Sequence, residues 1–233
     1  MADNNVIVEL DRVTKVYQEG KVEVKAVKAL DLKLYRGDFT VLYGPSGSGK
    51  TTILNLIGAL DVPSEGRVLV NGNNLSIMSR TDLSRMRRDR IGFVFQAYNL
   101  VPVLTAFENA EFVLALQGVE KKERHRRTMK VLEEVGIADL ADRRPDELSG
   151  GQQQRVAIAR AIAPEPLIIL ADEPTANVDS ANAAGLLNLM ERLNREKSIT
   201  FLFSTHDERV TSRARRLIRL KDGELVSDQE VQR

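Results

Sequence analysis

The stretch GPSGSGKT, Gly44 to Thr51, constrains this chain more than any other. It satisfies the spacing G-x-x-x-x-G-K-[ST]. It stands between a short apolar run, FTVLY, and a run with helical character, TTILNLIGAL. A loop in that setting belongs to a strand–loop–helix unit. Glycines at 44, 47 and 49 permit a tight loop whose backbone N–H groups point inward at an anion. The helix that follows adds the positive end of its dipole. Lys50 supplies a flexible cation for β- and γ-phosphate oxygens. Thr51 offers a hydroxyl to Mg²⁺, which keeps most of its octahedral shell as water and phosphate. A glycine-rich turn with no ligand is the bland alternative, and the context on both sides weighs against it.

The remaining pattern alternates between two periods. VIVEL and VKALDLKLY read as half-buried strands, GRVLVNG as a strand with an Asn-Gly turn, and IGFVF as a buried strand. TDLSRMRRDR reads as a short basic helix with a solvated face. From Thr105 to Asp142 the pattern is helical, with Phe107, Ala110 and Leu114 on one face and Met129, Leu132 and Val135 on another. PLIILA and ITFLFS return to strand around the helix ANAAGLLNLMERLNRE. DERVTSRA follows as helix, and LIRLKDGELVS as a closing hairpin around Asp222-Gly223. The tail SDQEVQR is polar and expected to fray. Strands alternate with helices at both ends and a helical block lies between, which predicts an α/β core with a helical insert.

Composition narrows the function classes. The 233 residues suit one domain, and a hydrophobic content of 42% supports a real core. A net charge of +1 gives no reason to expect nucleic-acid binding. With no cysteine, disulfides and cysteine metal sites are excluded. The start MADNNVIVEL carries no apolar signal region, and no apolar run approaches the roughly 20 residues that span a bilayer. The expectation is a cytosolic chain that reaches a membrane only through a partner.

Further chemistry lies outside the loop. LIILADE is an apolar strand ending in two carboxylates, and ligands of open α/β sheets sit beyond the carboxyl ends of strands. Asp172 is placed to hold Mg²⁺ through water. Glu173, pointing the other way on a strand, is a candidate base for a water attacking the γ-phosphate. Gln96, after IGFVF, either reaches the metal or the attacking water or is a turn residue. His206, after ITFLFS, either donates to the γ-phosphate or is a structural donor. The other histidine, His125, sits in KKERHRR and reads as part of a solvated helix face. LSGGQQQR, Leu148 to Arg155, places Ser149, Gly150 and Gly151 before a helix, which makes a second anion cradle far from the first.

These stretches, in this order, resemble the nucleotide-binding subunit of an ATP-binding-cassette (ABC) transporter. GPSGSGKT is similar to its Walker A loop, Gln96 to its Q-loop, LSGGQQQR to its signature and LIILADE to its Walker B strand. ANVD, Ala176 to Asp179, resembles its D-loop, His206 its switch histidine, and Tyr17 in TKVYQEG the aromatic that stacks on adenine. The resemblance implies a P-loop NTPase core, a mixed sheet flanked by helices, with an antiparallel β subdomain. The whole of 1–233 would be a single nucleotide-binding domain with a helical subdomain at about 97–163. It implies ATP and Mg²⁺ as cofactors. ATP would meet Tyr17, Gly44, Pro45, Ser46, Gly47, Ser48, Gly49, Lys50, Thr51 and Thr52, with Ser149, Gly150, Gly151 and Gln152 supplied across a dimer. Thr51, Gln96 and Asp172 would serve the metal, and Glu173, His206, Lys50 and Gln96 the hydrolysis. In such ATPases two copies pack head to tail, each signature closing over the ATP on the other's Walker A loop. The D-loop departs from the usual family pattern at Ala176 and Val178, and neither change removes a catalytic group.

RIGFVFQAYNLVPVLTAFENAEFVLALQG and GALDVPSEG are similar to the lipoprotein-releasing, macrolide-exporting and cell-division group within that family. That likeness implies a membrane permease with a large extracytoplasmic domain and a place on the cytoplasmic face of the inner membrane through it. Ala97–Thr105, with Tyr98, Leu100, Val101 and Val103, is the expected docking stretch, unless these residues simply pack the insert onto the core. A soluble ABC ATPase of DNA repair or translation is the alternative. The coiled coil or second cassette of those forms is not seen. A GTPase reading lacks its guanine-recognition segment.

Overall fold

The computed structural model of the chain describes residues 5–20 and 22–231. The first four residues of the stretch without an apolar signal, and the last two of the tail expected to fray, lie outside the described residues. Two sheets form. The first is antiparallel and contains β1 (Val6–Glu19), β2 (Val22–Tyr35), β4 (Glu65–Val70) and β5 (Asn73–Asn74), in the order β2-β1-β4-β5. The second contains β3 (Phe39–Tyr43), β6 (Ile91–Val94), β7 (Ile168–Asp172), β8 (Thr200–Thr205), β9 (Arg216–Lys221) and β10 (Glu224–Glu230), in the order β10-β9-β3-β8-β7-β6. Only β10 runs antiparallel to its neighbour in this sheet. The mixed sheet and the antiparallel subdomain are as the resemblance implied.

The period of two explains why the central strands read as unbroken apolar runs. Val41, Ile169, Ala171, Phe201 and Phe203 face one core, while Leu42, Ile168, Leu170 and Leu202 face another. A parallel strand covered on both faces has no polar side to show. The first helix, α1 (Lys50–Ile57), is clamped between the two sheets, where Ile53, Leu56 and Ile57 meet Val8, Leu10 and Val68. On the other face Phe39, Phe201 and Phe203 pack with ring centres 4.7–5.7 Å apart, Phe201 and Phe203 stacked and Phe39 tilted against both. Burying each such ring contributes about 1.5–3 kcal/mol.

The insert follows α2 (Arg80–Arg90) and β6. It comprises α3 (Ala106–Leu116), α4 (Lys121–Val135) and α5 (Gly150–Ile162). Thr105 and Glu108 form a reciprocal cap at the start of α3. Asn109 is fully buried, and its amide bonds Val101 at both N–H and carbonyl and reaches the Leu104 and Thr105 carbonyls. One side chain thereby pins the loop before α3. The expected faces hold: Ala110, Leu114, Leu132 and Val135 are buried, with Phe107 and Met129 packed at the margin.

Two local expectations are corrected. The helix expected over DERVTSRA shrinks to α7 (Glu208–Thr211), after α6 (Ser180–Lys197), because Arg213 and Ala214 already turn into β9. The polar tail does not fray through Glu230. Its residues pair with β9, and Arg216 clamps Asp228 with two bonds of 2.6 and 2.8 Å. The hairpin turn there has φ of 51° at Asp222 and 81° at Gly223, the left-handed pair that matches strand twist.

Candidate active site

Because β3, β6, β7 and β8 run parallel, their carboxyl ends share one edge. Tyr43 pairs with Thr205, Asp172 with Ser204, and Val94 with Ala171. The segments after Tyr43, Val94, Asp172 and Thr205 therefore emerge together, although more than a hundred residues separate the first from the last. They line a cleft of about 500 Å³ with Tyr17, Ser46, Lys50, Thr51, Gln96, Asp172, Glu173 and His206 on its walls.

The loop before α1 is shaped by close contacts. Gly47 has φ of 78° and Gly49 of 97°, conformations that L side chains rarely adopt. A Cβ at Gly49 would lie 2.5 Å from the Ala26 carbonyl oxygen. Gly44 has no left-handed backbone. Its constraint is the Leu220 carbonyl, 2.2 Å from where a Cβ would stand. No side chain caps the start of α1, so the N–H groups there remain available to a ligand. Lys50 Nζ donates to the Gly44 and Pro45 carbonyls at 2.7 and 2.9 Å. Burial lowers the Lys50 ammonium below its usual range, against the pull of the Glu173 and Asp172 charges. A desolvated cation beside uncapped N–H groups favours an incoming anion.

The carboxylates differ in their company. Thr51 Oγ1 lies 3.1 Å from Asp172 Oδ2, so hydroxyl and carboxylate converge on one point. Glu173 does not alternate as a strand residue. β7 ends at Asp172, and Glu173 takes φ of 45°. The left-handed backbone turns its side chain into the same cleft as Asp172, which corrects the expectation that it points the other way along a strand. Glu173 Oε2 accepts from the Thr205 hydroxyl at 2.7 Å. Oε1 accepts from the His206 N–H at 3.2 Å and faces His206 Nδ1 at 2.7 Å. One lone pair of Oε2 stays free for a water proton.

The other segments expected to matter fall into two places. Gln96 is exposed on the cleft wall, and its carbonyl accepts from Asn177 Nδ2 at 3.0 Å. Gly44, Pro45 and Ser48 are not on the cleft wall, whereas Thr52 is part of it. Tyr17 stands at the far end of the cleft beside Val24 and Ala26. Burial, with help from Asp61, pushes its phenol above the usual range. Ser149, Gly150, Gly151 and Gln152 do not join this cleft. Ser149 caps α5 through a reciprocal pair with Gln152, and is itself exposed. A Cβ on Gly150 would come 2.7 Å from the Tyr98 hydroxyl, so a larger residue there would have to displace the Tyr98 tip. In the D-loop stretch, Val178 is buried in the core and Ala176 is exposed. The Val178 departure is thus absorbed by packing.

Three contacts were not foreseen. Tyr98 and Asn99 are consecutive left-handed residues, at φ of 56° and 51°. Arg160, near the end of α5, donates to both of their carbonyls at 2.9 and 2.5 Å. The Tyr98 hydroxyl donates to the Asn177 carbonyl at 2.9 Å, so α5, the loop after β6 and the stretch Ala176–Asp179 are bonded in one network. Lys15 and Asp61 flank Tyr17. Only the Lys15–Tyr17 pair had a signal, since residues two apart share a strand face. The others join segments far apart in sequence.

The residues present fit a magnesium–phosphate ligand. Ser48 Oγ and Ser204 Oγ are buried without hydrogen-bond partners, the former within the loop and the latter on the cleft wall. No group of three or more His, Cys, Asp or Glu among the described residues is arranged to hold a metal alone. A cation held here by Thr51 and Asp172 would draw most of its ligands from phosphate and water, as Mg²⁺ does. Fold and cleft define a P-loop nucleotide-binding protein.

Comparison with known proteins carries this further. The family model described as ABC transporter matches residues 27–176. The macrolide export ATP-binding/permease protein MacB of Marinobacter nauticus is 45% identical over 95% of this chain and 34% of its own length. The lipoprotein-releasing system ATP-binding protein LolD 1 of Chlorobium chlorochromatii is 41% identical over 97% of this chain and 93% of its own. A solved structure, described as the dimeric post-hydrolysis state of the ATP-binding cassette MJ0796 bound to ADP and Pi, superposes with a TM-score of 0.90. It is 42% identical, and 97% of this chain and 99% of that one are covered. This chain belongs to the ABC transporter family and is an ATPase cassette of it. It spans about a third of the length of the macrolide exporter, and nearly all of the lipoprotein-releasing ATPase.

Proposed function

We propose that two copies of this chain pair head to tail, hydrolyse ATP between them and drive a separate membrane permease that exports or releases a substrate. The observation that carries the reading is the convergence of Lys50, Thr51, Asp172, Glu173 and His206 on one cleft at the start of α1. The chain is one nucleotide-binding domain over 1–233, with a helical subdomain at about 97–163.

In this reading the loop Gly44–Thr51 with Thr52 holds the phosphates and Tyr17 stacks on the base. Thr51, Asp172 and Gln96 hold Mg²⁺, which neutralises phosphate charge when bound. Glu173 takes the proton of the attacking water. His206 holds Glu173 through Nδ1 and offers its other nitrogen toward the γ-phosphate. Lys50 stabilises the charge of the transferred group. Ser149, Gly150, Gly151 and Gln152 supply donors to the nucleotide of the partner copy. What supports the pairing is that Ser149 is exposed and the signature lies outside its own cleft, together with the dimeric cassette to which the chain is similar. If two chains complete each site, turnover per chain rises with protein concentration until the dimer saturates. Turnover independent of concentration, with the protein monomeric, would count against it.

The docking stretch Ala97–Thr105 needs redrawing. Of Tyr98, Leu100, Val101 and Val103, only Val103 is exposed; Tyr98 and Leu100 pack onto the core and Val101 is held by Asn109. Beside it lies a groove of about 360 Å³ lined by Leu60, Phe93, Phe95, Phe112, Arg87, Arg88 and Asn99. We place the permease's cytoplasmic segment in this groove, next to the stretch rather than on it. No helix among the described residues is long and apolar enough to cross a membrane. In this reading, attachment to the cytoplasmic face of the inner membrane runs through the permease, whose large extracytoplasmic domain selects the substrate. Phe112→Asp is expected to reduce recovery of the permease in mild detergent by about tenfold, as loss of a central apolar anchor does. ATP turnover by the isolated chain should be unchanged. Full recovery would move the docking surface elsewhere.

A further inference from the structure

We propose that Lys15 and Asp61 are positioning residues for the nucleotide base: they brace the Tyr17 ring, and so set how firmly the base, rather than the phosphates, is held. The proposal rests on the reading of Tyr17 as the base platform.

Four contacts make the brace. The Tyr17 hydroxyl donates to Asp61 Oδ2 at 2.8 Å. Lys15 Nζ donates to Asp61 Oδ1 at 2.6 Å and to the Val62 carbonyl at 2.8 Å. The same ammonium lies over the Tyr17 ring, 5.0 Å from its centre. The hydroxyl bond stops the ring from swinging on its χ angles. The cation covers one face and leaves the other to a stacked base. Lys15 is only 12% exposed and Asp61 27%, so solvent and salt screen the pair weakly. Burial alone would raise the Asp61 carboxyl, yet the bonds from Lys15, Tyr17 and the Val62 N–H together hold it below the usual range.

The anchoring of Asp61 gives the brace its reach. α1 closes at Gly58, Ala59 takes φ of 56°, and the N–H groups of Leu60 and Asp61 both donate to the Asn55 carbonyl. Asp61 is thereby stapled to the far end of the helix whose first turn faces the phosphate loop. Tyr17 belongs to the other sheet, on β1. The brace fixes the base platform relative to the phosphate cradle before any nucleotide arrives. Without it the nucleotide has to order the ring itself, which costs conformational entropy.

The experiment measures binding of Mg²⁺-ATP and of base-free ribose 5′-triphosphate to the full chain. It compares wild type, Asp61→Asn, Lys15→Met, Tyr17→Ala and the Asp61→Asn/Tyr17→Ala double variant. Stacking on an aromatic ring carries roughly 5- to 150-fold in affinity, and ordering that ring accounts for part of it. Asp61→Asn and Lys15→Met are each expected to weaken ATP about fivefold while leaving ribose triphosphate within about twofold. Asp61→Asn should add nothing once Tyr17 is gone. Equal weakening of both ligands, or an undiminished Asp61→Asn effect without the ring, overturns the brace. Should Asp61→Asn melt below the assay temperature, Lys15→Met, which keeps the aliphatic stem, decides alone. A wild type that binds neither ligand overturns the nucleotide reading instead.

Discussion

Replacing Glu173 with glutamine is expected to slow ATP turnover by about 10²- to 10⁴-fold, the contribution of a positioned general base. The substitution preserves shape. A carbonyl oxygen at Oε2 still accepts from Thr205, whose hydroxyl lies 2.7 Å away in the wild type. What disappears is a carboxylate that the left-handed backbone at Glu173 turns into the cleft shared with Asp172 and Lys50, with a lone pair free to take a proton. A negative charge facing the γ-phosphate disappears with it, so ATP binding is favoured while its hydrolysis is blocked. With Mg²⁺-ATP the variant should elute as a stable dimer, while the wild type returns to its resting state as nucleotide is consumed. Turnover at the wild-type rate would remove Glu173 from the reaction.

The second large effect comes from mixing two inactive chains. Lys50→Ala strips the cation that bridges the Gly44 and Pro45 carbonyls, and Ser149→Arg puts bulk at the exposed cap of α5. Alone, each is expected to lose about 10²-fold or more in turnover. In a head-to-tail pair, each site takes Lys50 from one copy and Ser149 from the other. One site of every mixed dimer is then intact. Equal mixing makes half the dimers mixed, so about a quarter of the sites work again in a two-fold assembly. Recovery of activity on mixing, read by phosphate release, supports shared sites. Activity that stays at the sum of the two dead chains would confine each site to a single chain.

The legibility of this site varied with the kind of contact involved. Local chemistry was plain. The spacing of Gly44, Lys50 and Thr51 reports a phosphate loop because backbone geometry, cation and hydroxyl all derive from one contiguous turn. Asp172 and Glu173 were recognisable as strand-end carboxylates. The direction of Glu173 was not, because strand alternation stops one residue earlier than the apolar run suggests. The partial burial of Tyr98 and Leu100 is hidden from the sequence for a similar reason. Tyr98 and Leu100 look like surface residues in a polar loop, yet Arg160 and Asn109, from two other helices, fold that loop onto the core.

The sequence by itself determined the parts whose physics is local or periodic: the phosphate loop, the alternation of α and β elements, the doubly buried strands and the caps of the helices. Only the tertiary structure decided which of these parts share a site. The parallel order β3-β8-β7-β6 carries four loops to one edge and leaves the signature on another surface. The packing of α1 against the antiparallel sheet sets Asp61 beside Tyr17, 44 residues away. Strand order and long-range side-chain contacts depend on how separate apolar faces find one another, and no window of neighbouring residues encodes that.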